Sequence, residues 1–304
     1  QVMYIIWCNE DGNVIDDGTV FCFDSNHLRI FCAERNLNWF SDTAIGFDVE
    51  VEDVSDTIAA LAFQGPLSCK ILNLLNVKNI ENLRPFYFDD FDLNGCKVTI
   101  SRTGFSGDLG YEIWCKNEDA ISVWDSLFKF NRDYKVLPAG MNALEMVRVE
   151  AGFIQPNADF MSAEQALRPN RMRNPFELGM SWLVDLNKNY FTGKKNLVNL
   201  KKKTLTKKLV GLDIQGDKPA IGSVLYDKNK KEIGIVTAGM WSPSLKSNIA
   251  FGYVDKDHMK IGSKVFAEIY HPEELEYKKI WAECSVVKKQ FFNPPRRHKV
   301  PAEI

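Results

Sequence analysis

The pattern of apolar and polar positions gives the chain two textures. As far as residue 205, alternating runs are interleaved with stretches at helical spacing. Val2–Cys8 predicts a strand that meets a turn at Asp11-Gly12, and 18–24 and 28–32 predict two more. A helix is expected over 33–42. The alternation at 47–54 predicts a strand, as do 57–64, 86–93 and 96–102. Pro66 can open a helix through Leu75. Ile121, Val123, Trp124, Leu127 and Phe128 form the broad apolar face of a helix over 120–130, with Asn117 or Glu118 able to cap it. Ala143, Leu144, Val147 and Ala151 predict a second helix over 141–151. Residues 155–173 read as irregular and 176–184 as buried. A short helix over 193–200 can be capped by Thr192. Beyond a basic junction at 201–208 the texture is all-β, with strands expected at 209–214, 221–226, 232–239, 248–254, 263–269 and 280–287. Short strands between glycine-containing turns predict a sandwich or barrel.

The stretch SRTGFSGDLGYEIW, from Ser101 to Trp114, organises the rest. It joins the alternating run 97–101 to the run 111–115 through Gly104, Gly107 and Gly110. Such a link reads either as a hairpin whose glycines serve only the turn, or as a place where a ligand approaches the main chain. It is not a phosphate loop or a dinucleotide fingerprint, because no Gly-Lys-Ser/Thr follows and a strand comes next.

Composition narrows the function classes. The chain has 304 residues, 45% hydrophobic and 26% charged, enough for two or three packed units. A net charge of −2 gives no general pull toward nucleic acid or membrane, and no apolar run is long enough to span a bilayer. Seven scattered cysteines without paired spacing read as reduced thiols of a cytoplasmic protein. The four histidines form no cluster and no H-E-x-x-H, so no metal site is expected.

The wording Arg-Thr-Gly-aromatic-Ser/Thr-Gly, then Gly-Tyr/Phe-Glu, resembles the glycine-cleavage T-protein (aminomethyltransferase) family. That family includes folate-dependent demethylases and the folate domains of dimethylglycine- and sarcosine-oxidising enzymes. Further segments fit in the same order: CNEDGNVIDD ending at Asp17, AFQGP at 62–66, VRVEAG at 147–152, NPFELGMSWLVDLNK at 174–188 and GMWSPSLKSNIAFGYV at 239–254. The resemblance implies an α+β fold: two interleaved folate-binding subdomains with mostly antiparallel sheets over 1–205, then a C-terminal β-barrel domain over 206–304. Relatives carry a segment before the strand in which this chain opens, so an N-terminal part is expected to be missing.

The implied activity is transfer of a one-carbon group from a donor to N5 of tetrahydrofolate. Asp16 and Asp17 point to opposite faces of a strand, and the resemblance selects Asp17 as the catalytic carboxylate. Glu112 is implied as the carboxylate that accepts the pterin's amino group and ring N–H together. Arg148, on an otherwise apolar helix, reads either as a ligand contact or as a tie between subdomains. Tyr4, Phe105 and Trp241 complete the implied folate-binding set. The chain departs from the glycine-cleavage pattern at Phe105, at Asp108-Leu109, at Ala143-Leu144-Glu145 and over 154–173, and the resemblance implies that several of these positions face the donor. Three functions follow from the resemblance. One is aminomethyl transfer from a lipoylated carrier protein, a second is demethylation of a small methylated amine or sulfonium compound, and the third is folate binding without transfer. The third ranks last, because Asp17 is present and the Lys-Gly-Cys-Tyr-x-Gly-Gln motif of such proteins is absent.

Overall fold

The computed structural model describes residues 1–274 and 276–301. The chain divides into two compact units, each drawn from separate stretches. One comprises 1–4, 18–141 and the segment beginning at Asn293; the other comprises 5–17 and 142–292.

Strands β1 (Val2–Cys8), β2 (Val14–Cys22) and β3 (Leu28–Cys32) form a three-stranded sheet in that order. The Asp-Gly turn forms as expected between β1 and β2. Gly12 takes φ +80°, its N–H donates to the Asn9 carbonyl, and the Asn9 side chain accepts from the Asn13 N–H at 2.9 Å. β2 starts at Val14, so both aspartates lie within a strand.

The first unit continues with α1 (Leu37–Ala44), β4 (Ile58–Gln64), α2 (Ser68–Leu74), β5 (Phe88–Leu93), β6 (Cys96–Ser101), β7 (Gly110–Lys116), α3 (Ala120–Phe128) and the single turn α4 (Asn131–Tyr134). Its four-stranded antiparallel sheet has the order β4-β7-β6-β5. Because side chains alternate, Val98, Ile100, Tyr111 and Ile113 share one face. They pack there with Leu72 of α2 and with Val123 and Leu127 of α3. Each such large apolar side chain contributes about 1.5–3 kcal/mol on full burial. The opposite face carries Thr99, Ser101, Glu112 and Trp114, in the register Thr99↔Trp114 and Ser101↔Glu112.

The strand expected at 47–54 does not form. The segment joins neither sheet, and Phe47 and Val49 stand 68% and 63% exposed. Alternation supplies two faces, but a strand also needs a neighbouring strand's N–H and C=O groups. The bonds at the ends of this segment, Phe47 N–H to the Ala44 carbonyl and Thr57 N–H to the Val54 carbonyl, close local turns.

In the second unit, α5 (Met141–Ala151) and α6 (Lys194–Lys202) precede β8 (Lys207–Ile214), β9 (Val224–Tyr226), β10 (Glu232–Ser242), β11 (Ser247–Asp255), β12 (Lys264–Pro272) and β13 (Tyr277–Val287). These six strands close an antiparallel barrel in the order β10-β11-β8-β13-β12-β9. Leu212, Leu225, Val236, Val254, Val265 and Val286 fill it. The closest approach is at Gly234, where a Cβ would lie 1.7 Å from the Tyr253 carbonyl oxygen. The N-cap of α6 is Gly193, with φ +82° and no side-chain hydrogen bond to the helix, so Thr192 does not cap it.

Candidate functional site

The link between β6 and β7 is built around one amide. Gln64, the last residue of β4, donates from Nε2 to the carbonyls of Thr103 at 3.3 Å and Tyr111 at 2.9 Å. Its Oε1 accepts from the Ser106 hydroxyl at 2.9 Å. A Cβ at Gly104 or Gly110 would lie 2.0 or 2.2 Å from that same Oε1. The two glycines therefore make room for the amide, and AFQGP and the glycine-rich stretch are two halves of one structure.

Glu112 sits half-buried on β7 at the edge of this link. The Thr103 hydroxyl donates to its Oε2. The Ser101 and Thr103 hydroxyls are 2.6 Å apart, and the Trp114 indole N–H donates to the Ser101 Oγ at 3.2 Å. One direction of donation satisfies every group, from Trp114 to Ser101 to Thr103 to the carboxylate, and each bond polarises the next. Burial pushes the Glu112 carboxyl above the usual carboxylate range, and the Thr103 hydroxyl pulls it partly back. Glu112 and Trp114 share the sheet face opposite the core. Trp114 stacks on Phe31 with ring centres 3.8 Å apart and meets Phe21 edge-on. Beside it lies a cleft of about 1000 Å³ lined by Arg29, Thr99 and Trp114. Phe105 lies half-buried in the link, and Tyr4 half-buried on β1.

In the second unit, Asp16 is buried and Asp17 half-buried, and the Asp17 N–H donates to Asp16 Oδ1 at 2.8 Å. The difference in burial matches the opposite facing of neighbours in a strand. Trp241 is 41% exposed near the end of β10, beside Lys246 and Asp217.

Arg148 is completely buried, and every nitrogen of its guanidinium is engaged. Glu145, one helical turn earlier, takes Nε and Nη2; Asp159 and the Phe153 carbonyl take Nη1. Asp159 also accepts from the Thr237 hydroxyl at 2.7 Å and the Gln155 N–H at 3.0 Å, while its carbonyl accepts from the Tyr253 hydroxyl. Thr237 reaches it from a bulge in β10, where Val236 pairs with Gly252 and Ala238 with Phe251. Glu150, two positions on, turns to the Ser242 hydroxyl. These bonds tie α5 to the 153–159 segment and the barrel. Sequence reasoning did not single out Thr103, Gln64 or Asp159. Thr103 and Gln64 lie inside the quoted motifs, but the only sign of Asp159 was an unpaired charge on an apolar helix.

A closed antiparallel barrel follows two open sheets, one of which carries a half-buried carboxylate on a glycine-bounded hairpin. The GCVT N-terminal domain family matches residues 1–188, and the glycine cleavage T-protein C-terminal barrel domain family matches 207–292. The chain is 35% identical over 270 residues to an aminomethyltransferase of Halothermothrix orenii, covering 87% of this chain and 72% of that one. It is 33% identical over 304 residues to the aminomethyltransferase of Thermotoga maritima, covering 99% and 78%. The crystal structure of the glycine cleavage system aminomethyltransferase T from Bartonella henselae shares the fold, with a TM-score of 0.82 at 24% identity, over 99% of this chain and 77% of that one. The chain belongs to the glycine cleavage T-protein family. It is a transferase, and the cosubstrate of that family is tetrahydrofolate. Among the described residues no helix is long and apolar enough to cross a membrane.

Proposed function

We propose that the protein transfers an aminomethyl carbon from the sulfur of a lipoyl carrier to N5 of tetrahydrofolate, giving methylenetetrahydrofolate, ammonia and the carrier's free dithiol. The donor's C–S and C–N bonds break as the carbon bonds to N5 and then N10, whose two protons leave with the thiolate and the amine. The observation that carries this reading is Glu112. It is a half-buried carboxylate with one oxygen fixed by Thr103 and with Oε1 carrying no hydrogen bond from the described residues. A pterin offers an amino group and a ring N–H side by side, and a carboxylate fixed in this way can accept both. The residues present fit that group. Bound tetrahydrofolate supplies the nucleophilic nitrogen.

The chain supplies orientation and electrostatics. Glu112 fixes the ring plane, and Asp17 stabilises positive charge as the donor's bond breaks. Tyr4, Phe105 and Trp241 furnish aromatic surface for the ligand. Arg148 acts from behind, because its buried bonds hold α5 and leave it nothing to offer a ligand.

The test is turnover with two donor sets: an aminomethyl-loaded lipoyl carrier, and a panel of small methylated amines and sulfonium compounds. The expected result is methylenetetrahydrofolate and ammonia from the carrier alone, with kcat falling about 100-fold or more in Asp17→Asn. Turnover of a small methyl donor, with none from the carrier, would make the protein a demethylase.

A further inference from the structure

The segment beginning at Asn293 belongs to the first unit and lies beyond both matched family regions. It grips the link between β6 and β7 at both feet. At one, Arg296 forms a two-pronged ion pair with Asp108, Nε to Oδ1 at 2.6 Å and Nη2 to Oδ2 at 2.7 Å. At the other, Arg102 donates from Nη2 to the Arg297 carbonyl at 3.4 Å and from Nη1 to the Leu83 carbonyl at 2.9 Å. Val300 packs against the core of the same unit. Asp108 Oδ1 also takes the Leu109 N–H at 2.6 Å, and the Leu109 carbonyl takes the Gly65 N–H at 2.8 Å, so the grip passes directly to the main chain. Between the two anchors stands Thr103, whose hydroxyl sets the Glu112 carboxylate.

We propose that Arg296 is a positioning residue for tetrahydrofolate binding. It clamps Asp108, and through it the 102–109 link, so that Thr103 holds Glu112 in the orientation that receives the pterin. This rests on the reading of Glu112 given above. The link contains glycines that leave the backbone wide freedom, and a forked guanidinium–carboxylate pair fixes both distance and plane where a point charge fixes only distance.

The experiment titrates tetrahydrofolate into the wild type, Arg296→Ala, Arg296→Lys, Glu112→Gln, the single reversals Asp108→Arg and Arg296→Asp, and the two reversals combined. Amide hydrogen exchange over 103–109 and over the barrel is followed in parallel. Arg296→Ala is expected to bind about five- to tenfold more weakly. Lysine should recover only part of this, and the combined reversal should bind better than either single one. Exchange should quicken in the link and stay unchanged in the barrel. Wild-type affinity in Arg296→Ala, beside weak binding in Glu112→Gln, would overturn the proposal. If Glu112→Gln also binds like wild type, the folate reading of Glu112 has failed instead. The clamp is then decided by exchange, with unchanged rates in the link overturning it and faster rates sustaining it.

Discussion

Lys289 shows how a single buried charge sets a residue's account of stability. Its ammonium donates to the Leu178 carbonyl at 2.5 Å, and burial holds its pKa at about 8 against an ordinary 10.5, with Lys208 adding repulsion and Asp159 opposing. The folded state disfavours the charged form. Below pH 8 the amine is protonated in both states and the whole penalty applies. Between about pH 8 and 10.5 the unfolded chain binds more protons, so stability rises with pH. The penalty at neutral pH is at most about 3 kcal/mol. Lys289→Met is therefore expected to raise the Tm at pH 7 by a margin that shrinks toward pH 10. A lower Tm at pH 7 would show that the bond to Leu178 outweighs desolvation. No local pattern signalled this, since Lys288-Lys289 reads as an ordinary basic pair. Arg148 was different. A charge among Val147, Val149 and Ala151 demanded a partner, and Glu145 was within reach, but Asp159 came from a segment with no period to read.

At the level of elements, the hairpin was legible because it is local. Two alternating runs and three glycines forecast β6, β7 and a tight link, and the register follows. What alternation left out was Gln64, which arrives from β4 39 residues before Thr103 and fills the space over the two glycines. Gly104→Ala would drive a Cβ to within 2.0 Å of the Gln64 amide, and the amide must leave. The loss of three hydrogen bonds is expected to destabilise the protein by about 2–3 kcal/mol and to weaken folate binding. A double variant with Gln64→Ala should regain part of the stability, because the obstruction is then gone. Equal stabilities for Gly104→Ala and the wild type, measured by denaturant unfolding, would mean that the amide has another place to go. The barrel strands were legible for the same local reason. The run at 47–54 misled because alternation says nothing about whether an edge is available.

At the scale of the whole molecule, the two units are each assembled from distant stretches, and the segment beginning at Asn293 joins residues 18–141 after the barrel has been completed. Texture along the chain marks where the β-only region begins. It cannot show a pairing such as Arg296 with Asp108, which spans 188 residues. The same limit applies to the site. Motif order pointed to Glu112, while its setting came only with the fold: the Thr103 hydroxyl donating to the carboxylate, and Trp114, two residues on, lining a cleft.

That setting makes a direct claim about charge. Glu112 must be ionised to accept two N–H groups, and burial places its carboxyl above the usual range, so acceptance fails as pH falls through that raised value. The deciding measurement is tetrahydrofolate affinity of the wild type and Glu112→Gln, under reducing conditions, from neutral to mildly acid pH. We expect wild-type binding to be at least about tenfold tighter at neutral pH, with the gap narrowing as the solution is acidified. Equal affinities at neutral pH would contradict the assignment of Glu112 as the pterin carboxylate, and with it the observation on which the proposed reaction rests.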